Sequence, residues 1–271
     1  MIPTTKAIVL GAAGRMGLRI IGLMGDTHLV SLGAAVESKG HPAIGTDAGE
    51  ASGIKRLGIP ITDDLSSVID RGQVVIDFTT PQSTLAGLDI ITKKGKPIVI
   101  GTTGFSSAEL EQIRKAATRI PCVLSPNMSI GVNVMFKIVA EVARLLGQDY
   151  DMEIIEAHHR FKKDAPSGTA LRLAEVLAKA TRQNLEEVAT YSRKGQVGER
   201  KKSEIGIQAI RAGDIVGEHT VVFGGMGERL EVTHRAHSRD NFARGAIMAA
   251  KWVVHQPPGL YEMVHVLGLS P

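Results

Sequence analysis

The chain has 271 residues, 43% of them hydrophobic and 22% charged, the balance of a globular protein with room for two compact domains or one domain carrying an insertion. Its net charge of +4 is small, the Lys-Lys pairs at 93–94, 162–163 and 201–202 are scattered, and three Tyr, one Trp and six Phe offer few stacking platforms, so the composition gives no signal for nucleic acid, which is not expected as a partner, and fits an anionic small substrate equally well. No stretch approaches the ~20 apolar residues of a membrane span, and the run Ala7–Leu10 passes into Gly-rich sequence without the cleavage region of a signal peptide.

Along the first 130 residues, strand-like and helix-like segments alternate. Apolar runs at Ala7–Leu10, Leu29–Val36, Val74–Ile76, Pro97–Ile100 and Cys122–Leu124 are separated by helical patterns, clearest at Arg15–Met24, Ser83–Lys94 and Ser106–Arg119. Short, uninterrupted apolar strands spaced by helices predict a parallel sheet covered on both faces, and the right-handed crossover makes it doubly wound. Cys122, the single cysteine, permits no intrachain disulfide, favours a reducing cytoplasmic compartment, and reads as a buried, inert thiol. After Asn127 the pattern predicts a helix over Ile130–Leu146, a strand over Met152–Ala157 and a helix over Ser167–Thr181. Ser192–Ser203 reads as a mobile surface loop. Antiparallel strands joined by Gly-containing turns are expected between Ile205 and His237, then a last helix, Ser238–Val254, and a short tail. A nucleotide domain followed by a mixed α+β domain fits this order.

The first strand ends in Gly11-Ala12-Ala13-Gly14-Arg15-Met16-Gly17. Glycines permit a tight turn and close backbone approach, and the helix that follows aims its free N–H groups at a phosphate. The G-x-x-G-x-x-G spacing is weak alone, but Glu37 lies 20 residues beyond Gly17 at the end of the second strand, where an acid accepts hydrogen bonds from adenosine ribose hydroxyls. The later strands end in Asp77–Thr80, Gly101–Gly104 and Ser125–Ser129, small or polar patches that together line one edge of one sheet. Ligands of open parallel sheets bind beyond that edge, so a dinucleotide is the favoured ligand.

In the second half, Glu156-Ala-His158-His159-Arg160-Phe-Lys162-Lys163-Asp164 places two imidazoles among three cations. Continued extended geometry would put His158, Arg160 and Lys162 on one side and His159 on the other. Ser167 is a candidate N-cap for the helix opening at Gly168-Thr169, and a helix N-terminus beside cations suits a small di- or polyanion. His219, His234 and His237 read as strand and turn residues; without His-Glu-x-x-His and with one Cys, no metal site is expected.

Gly11–Gly17, Gly101-Thr102-Thr103-Gly104, Glu156–Arg160, Asp164–Thr169 and Arg211–His219 together resemble the dihydrodipicolinate (4-hydroxy-tetrahydrodipicolinate) reductase family, from about residue 6 to the C-terminus. The resemblance implies a Rossmann-type α/β domain over 1–128 plus 240–271, with an α+β substrate and oligomerisation domain inserted at 129–239, in a homotetramer. It implies reduction of a cyclic imine dicarboxylate to tetrahydrodipicolinate with NADH or NADPH in lysine biosynthesis. His158 matches the acid/base histidine, Lys162 the proton donor, and His159, Gly168 and Thr169 the substrate contacts; for both His159 and Lys162 to face substrate, alternation must break after His158. Cofactor contacts match Gly11, Ala12, Ala13, Gly14, Arg15, Met16, Glu37, Gly101, Thr102, Thr103, Ser125, Pro126, Asn127 and Met128. Met128 stands where an aromatic is common, and Ser38-Lys39 where some members carry Arg, so the choice between NADH and NADPH stays open. Two other readings stay open as well: another small Rossmann reductase acting on an amino-dicarboxylate, and a dinucleotide-binding regulator without turnover.

Overall fold

The computed structural model describes residues 5–25 and 30–269; Leu29, the expected start of the second strand, lies outside them. The chain divides into two compact units, Met1–Ile130 with Arg239–Pro271, and Gly131–Ser238.

The first unit runs β1 (Thr5–Leu10), α1 (Arg15–Met24), β2 (Val30–Val36), α2 (Ala48–Ala51), β3 (Ile61–Thr62), α3 (Leu65–Val68), β4 (Val74–Asp77), α4 (Pro81–Lys93), β5 (Ile98–Ile100), α5 (Ser107–Ala117) and β6 (Pro121–Leu124). The second unit holds α6 (Ile130–Leu146), β7 (Asp151–His158), α7 (Gly168–Ala180), α8 (Leu185–Val188), β8 (Ala189–Tyr191), β9 (Ile205–Arg211), β10 (Gly217–Gly224) and β11 (Arg229–Ala236). The chain then returns to the first unit with α9 (Asp240–Val253), β12 (Gly259–Tyr261) and α10 (Met263–Val266).

In the first unit, the described strands form one seven-stranded sheet in the order β12-β6-β5-β4-β1-β2-β3, every pair parallel. The order reverses between β1 and β4, which opens a crevice beyond their carboxyl ends. Side chains of β1 alternate between two cores. Ala7 and Val9 pack with Ile20, Ile21, Ala246 and Ala250 of α1 and α9, while Ile8 and Leu10 pack with Leu88, Ile91 and Ile113 of α4 and α5. Both faces are covered, which is why these strands read as unbroken apolar runs. The helices start where their caps dictate: Thr80 caps α4 ahead of Pro81, and Ser106 with Glu109 forms a capping box on α5. Cys122 is fully buried and burial pushes its thiol up to about 12, as expected of an inert core residue.

The second unit's described strands form a mixed sheet, β11-β10-β7-β9-β8. One face packs α6 and α7 through Met135, Val139, Leu173, Leu177, Ile154 and Phe223. Two expectations are corrected. The strands after Ile205 are not a simple antiparallel meander: β9 pairs parallel with β7, and β10 pairs antiparallel with β7 and β11, so β7 is central. The tail after α9 is structured, because β12 extends the first sheet beside β6. The segment 192–203 is an exposed, irregular surface loop in which Arg193 binds Glu153 and Glu204 while Arg200 binds Asp151, Glu153 and the carbonyls of Met152 and Glu204. Among the described residues no helix is long and apolar enough to cross a membrane.

Candidate active site

The turn from β1 to α1 depends on its glycines. Gly11 has φ +68°, and a Cβ there would meet Thr79 Cγ2 at 2.9 Å; at Gly17 a Cβ would lie 2.1 Å from the Gly11 carbonyl oxygen. Helix α1 therefore packs directly under the loop. Its N-cap is Gly14, which offers no side-chain cap, so the first-turn N–H groups of Arg15 and Met16 head a helix end open to an external anion. Ala12 N–H is taken by the Val36 carbonyl at 3.0 Å, and Ala13 N–H donates to Glu37 Oε2 at 3.0 Å. The other Glu37 oxygen accepts from Ser38 N–H at 2.8 Å. These bonds hold the carboxylate at the end of β2 with acceptor capacity to spare.

Gly11, Glu37, Ser38, Lys39, Asp63 and Thr79 are among the residues lining a cleft of about 570 Å³. A second cavity of about 280 Å³ is lined by Arg15, Met16, Gly101, Ser125–Met128, Arg239 and Phe242. Gly101 makes room for the Phe78 ring, which a Cβ would meet at 2.2 Å. Thr102 is buried in a polar knot with Thr84 and Asp77, whereas Thr103 is exposed. Asp77 also accepts from Thr79, and burial raises its carboxyl above the usual range. Ser125 Oγ donates to the Asn127 carbonyl at 2.9 Å, closing a tight turn that leaves Pro126 exposed. Met128 is buried in the core, where Gly245 of α9 packs so close that a Cβ would lie 1.8 Å from the Met128 carbonyl oxygen. The open helix end, the glycine approach and the fixed acid fit a nicotinamide dinucleotide.

In the second unit, β7 ends at His158 and the chain turns at once, with Lys162 N–H donating to the His159 carbonyl at 3.1 Å. Extended alternation therefore stops at His158 and does not order Arg160 or Lys162. His158 Nδ1 lies 2.6 Å from Glu156 Oε2. Glu156 is fully buried; burial alone would raise its carboxyl, but hydrogen bonds from Arg211, His158 and Ser167 N–H outweigh it and hold the group below its usual range. Burial lowers the His158 pKa against the opposing pull of Glu156. Lys162 Nζ donates to both Asp164 oxygens, at 2.9 and 2.8 Å, so part of the cation cluster is neutralised. His159 Nδ1 is buried with no hydrogen-bond partner among the described residues. Ser167 caps α7 by accepting from Ala170 N–H, which leaves Gly168 and Thr169 at the head of that helix.

The sequence that carries these two arrangements matches a known family. The dihydrodipicolinate reductase N-terminal profile matches residues 5–128 and the C-terminal profile residues 131–267. The chain belongs to the dihydrodipicolinate reductase family. It is an oxidoreductase with a dinucleotide-binding domain served by NADH or NADPH. Among relatives of this reductase family, 4-hydroxy-tetrahydrodipicolinate reductase from Syntrophus aciditrophicus is 59% identical over 97% of this chain and 98% of its own, and that from Syntrophobacter fumaroxidans is 57% identical over 98% and 99%. The dipicolinate-bound dihydrodipicolinate reductase from Paenisporosarcina shares the fold at TM-score 0.74 and 24% identity, covering 97% of this chain and 98% of that one.

Sequence reasoning gave no role to several groups that the fold brings in. His219, expected as a plain strand residue, is on β10 but buried, 3.0 Å from Ser167 Oγ and edge-on to His158 at 5.2 Å between ring centroids. Arg211 reaches Glu156 from β9. Glu156 was findable, because it shares a strand face with His158 two residues on. Arg211 and His219 bound the motif Arg211–His219, which carried the resemblance but assigned neither a role, and Asp63 and Arg239 carry no local signal.

Proposed function

We propose that the chain reduces the cyclic imine dicarboxylate derived from 4-hydroxy-tetrahydrodipicolinate to tetrahydrodipicolinate, in the diaminopimelate route to lysine. The observation that carries this reading is the second unit's cluster: a titratable imidazole on a buried carboxylate, a lysine, and a helix N-terminus, all supplied by residues 156–168. When bound, the nicotinamide supplies hydride. Gly11–Met16 and Ser125–Met128 would hold its phosphates and nicotinamide end, Gly101–Thr103 the middle, and Glu37 the adenosine ribose. Reduction of a conjugated imine then needs a proton. Lys162 donates it, and its bonds to both Asp164 oxygens hold the amine in place until substrate arrives. His158 acts as the acid/base group. His159, with its unpartnered Nδ1, joins Gly168 and Thr169 in binding the carboxylates. The Paenisporosarcina enzyme was solved with dipicolinate, a dicarboxylate of the kind such a site would take.

The chain works as a homotetramer in the cytoplasm. Self-association is supported by the face of the second sheet turned away from α6 and α7, where Ile155 is 38% and Ile210 46% exposed. The single, buried cysteine accords with a reducing compartment. The test is to follow nicotinamide absorbance with the freshly made product of dihydrodipicolinate synthase as substrate. Oxidation dependent on enzyme and on that product is expected; none above the uncatalysed rate with either NADH or NADPH would overturn the reading.

A further inference from the structure

His158 is gripped through one nitrogen only. Its Nδ1 meets Glu156 Oε2 at 2.6 Å, and the same carboxylate accepts Arg211 Nη1 and Nη2, each at 2.8 Å, and Ser167 N–H at 3.0 Å. Ionised, Glu156 can only accept, so the proton in the first contact belongs to Nδ1 and the neutral ring has a bare Nε2. Beside that Nε2 lies Gly217, where a Cβ would come within 3.1 Å of it. Glycine at this point leaves the bare nitrogen room. The network closes on itself, since Ser167, whose N–H binds Glu156, also meets His219 Nε2 through its hydroxyl at 3.0 Å.

We propose that Glu156 and Arg211 are positioning residues for His158: the carboxylate fixes the Nδ1–H tautomer, the guanidinium cancels the carboxylate's charge, and Nε2 is the working nitrogen. The proposal rests on the reading of His158 as the acid/base group. A carboxylate standing alone at this distance would favour the doubly protonated ring and would hold its proton too tightly for exchange near neutral pH. The end-on fork of Arg211, itself anchored to the Ile210 and Asp164 carbonyls at 2.7 Å each, removes that bias while leaving the hydrogen bond intact. The charged and titratable groups facing His158 are Glu156 on its own strand, Arg211 on β9, His219 on β10, and Lys162, paired with Asp164, in the following turn. Lys162 and Arg211 both disfavour the imidazolium, and Glu156 alone opposes them.

The two positioning residues must therefore move His158 in opposite directions. In Glu156→Gln the amide oxygen is claimed by Arg211 and Ser167 N–H, so the amide NH₂ faces Nδ1 and the tautomer reverses to Nε2–H. The proton affinity of His158 should fall by tenfold or more, on the order seen for loss of a neighbouring charge. In Arg211→Gln the tautomer stays and the affinity should rise about as much, whereas Arg211→Lys, which keeps the charge, should stay near native and guards against simple misfolding. The measurement is ¹⁵N chemical shift of labelled imidazoles in the full-length enzyme across pH, beside pH profiles of kcat and calorimetric nucleotide affinity. Glu156→Gln should lose ~10²–10⁴-fold in kcat with nucleotide binding unchanged. A native ring in the Nε2–H tautomer, or shifts of the same sign in Glu156→Gln and Arg211→Gln, would overturn the proposal. Native kcat in His158→Ala would instead remove the acid/base reading on which it rests. An inactive His158→Ala with fully active Glu156→Gln would remove only the positioning roles.

Discussion

Replacing Ser38 by arginine tests how the adenosine end of the cleft chooses between NADH and NADPH. Glu37, Asp63 and Asp64 line that cleft against the single lysine, Lys39. Glu37 cannot swing aside, because Ala13 N–H and Ser38 N–H pin both its oxygens. A 2′-phosphate would thus meet an excess of two negative charges. At about 6 Å in a water-like medium each unit pair costs ~0.7 kcal/mol, and for a phosphate of roughly −1.5 to −2 the total, after salt screening, is ~1–2 kcal/mol. The native enzyme should accept both cofactors and favour NADH by up to ~30-fold in kcat/KM, the ratio narrowing as salt is added. Ser38→Arg adds a fork that can grip the phosphate, worth about 1–2 kcal/mol as a charge-assisted hydrogen bond, and should bring the ratio near unity or past it. Steady-state kinetics with both cofactors at fixed ionic strength, with calorimetric Kd values for each, measure it. A native enzyme that prefers NADPH by a large factor would mean that Lys39 reaches the phosphate despite three carboxylates, and the reasoning about Glu37 would fail.

Lys162→Ala should lower kcat by ~10²–10⁴-fold while nucleotide Kd stays within error; a loss below about tenfold at saturating substrate would take the proton-donor role from Lys162. His158→Ala should depress kcat and remove one limb of the pH profile, whereas His159→Ala should chiefly raise KM through weaker carboxylate binding; identical defects would show that the roles are not separate. His219 supplies a stability prediction. Burial lowers its pKa from 6.5 to about 3, so between those values the unfolded chain binds a proton that the folded chain refuses, and stability falls as pH drops through the window. His219→Gln should flatten the plot of unfolding free energy against pH there by up to ~1.4 kcal/mol per pH unit; an unchanged slope in denaturant titrations at pH 4 to 6 would refute the assignment.

The first unit was open to sequence reading because each piece of it is local. An apolar run, a glycine turn and a helix follow one another within twenty residues, and the carboxyl-end rule for parallel sheets gathers the pieces without any knowledge of packing. Where the signal was short it was lost: β3 has two residues and β12 three, too few to show a period. The second unit resisted for a different reason. Alternation along β7 puts Glu156 and His158 on one face, yet extending it to Lys162 failed because Lys162 N–H turns back on the His159 carbonyl. Placing Arg211 opposite His158 requires the parallel register of β9 on β7, and its ion pair with Glu156 spans 55 residues in the chain. The same sheet brings His219 opposite Glu156 in antiparallel register. The residues proposed to touch substrate sit in compact motifs that a reader of sequence can find, whereas Arg211 and His219, which surround His158 and Glu156, arrive from other strands. The buried carboxylate is where the two meet: Glu156 lies inside the motif, but its bonds to Arg211 from β9 and to Ser167 N–H at the head of α7 exist only in the folded sheet.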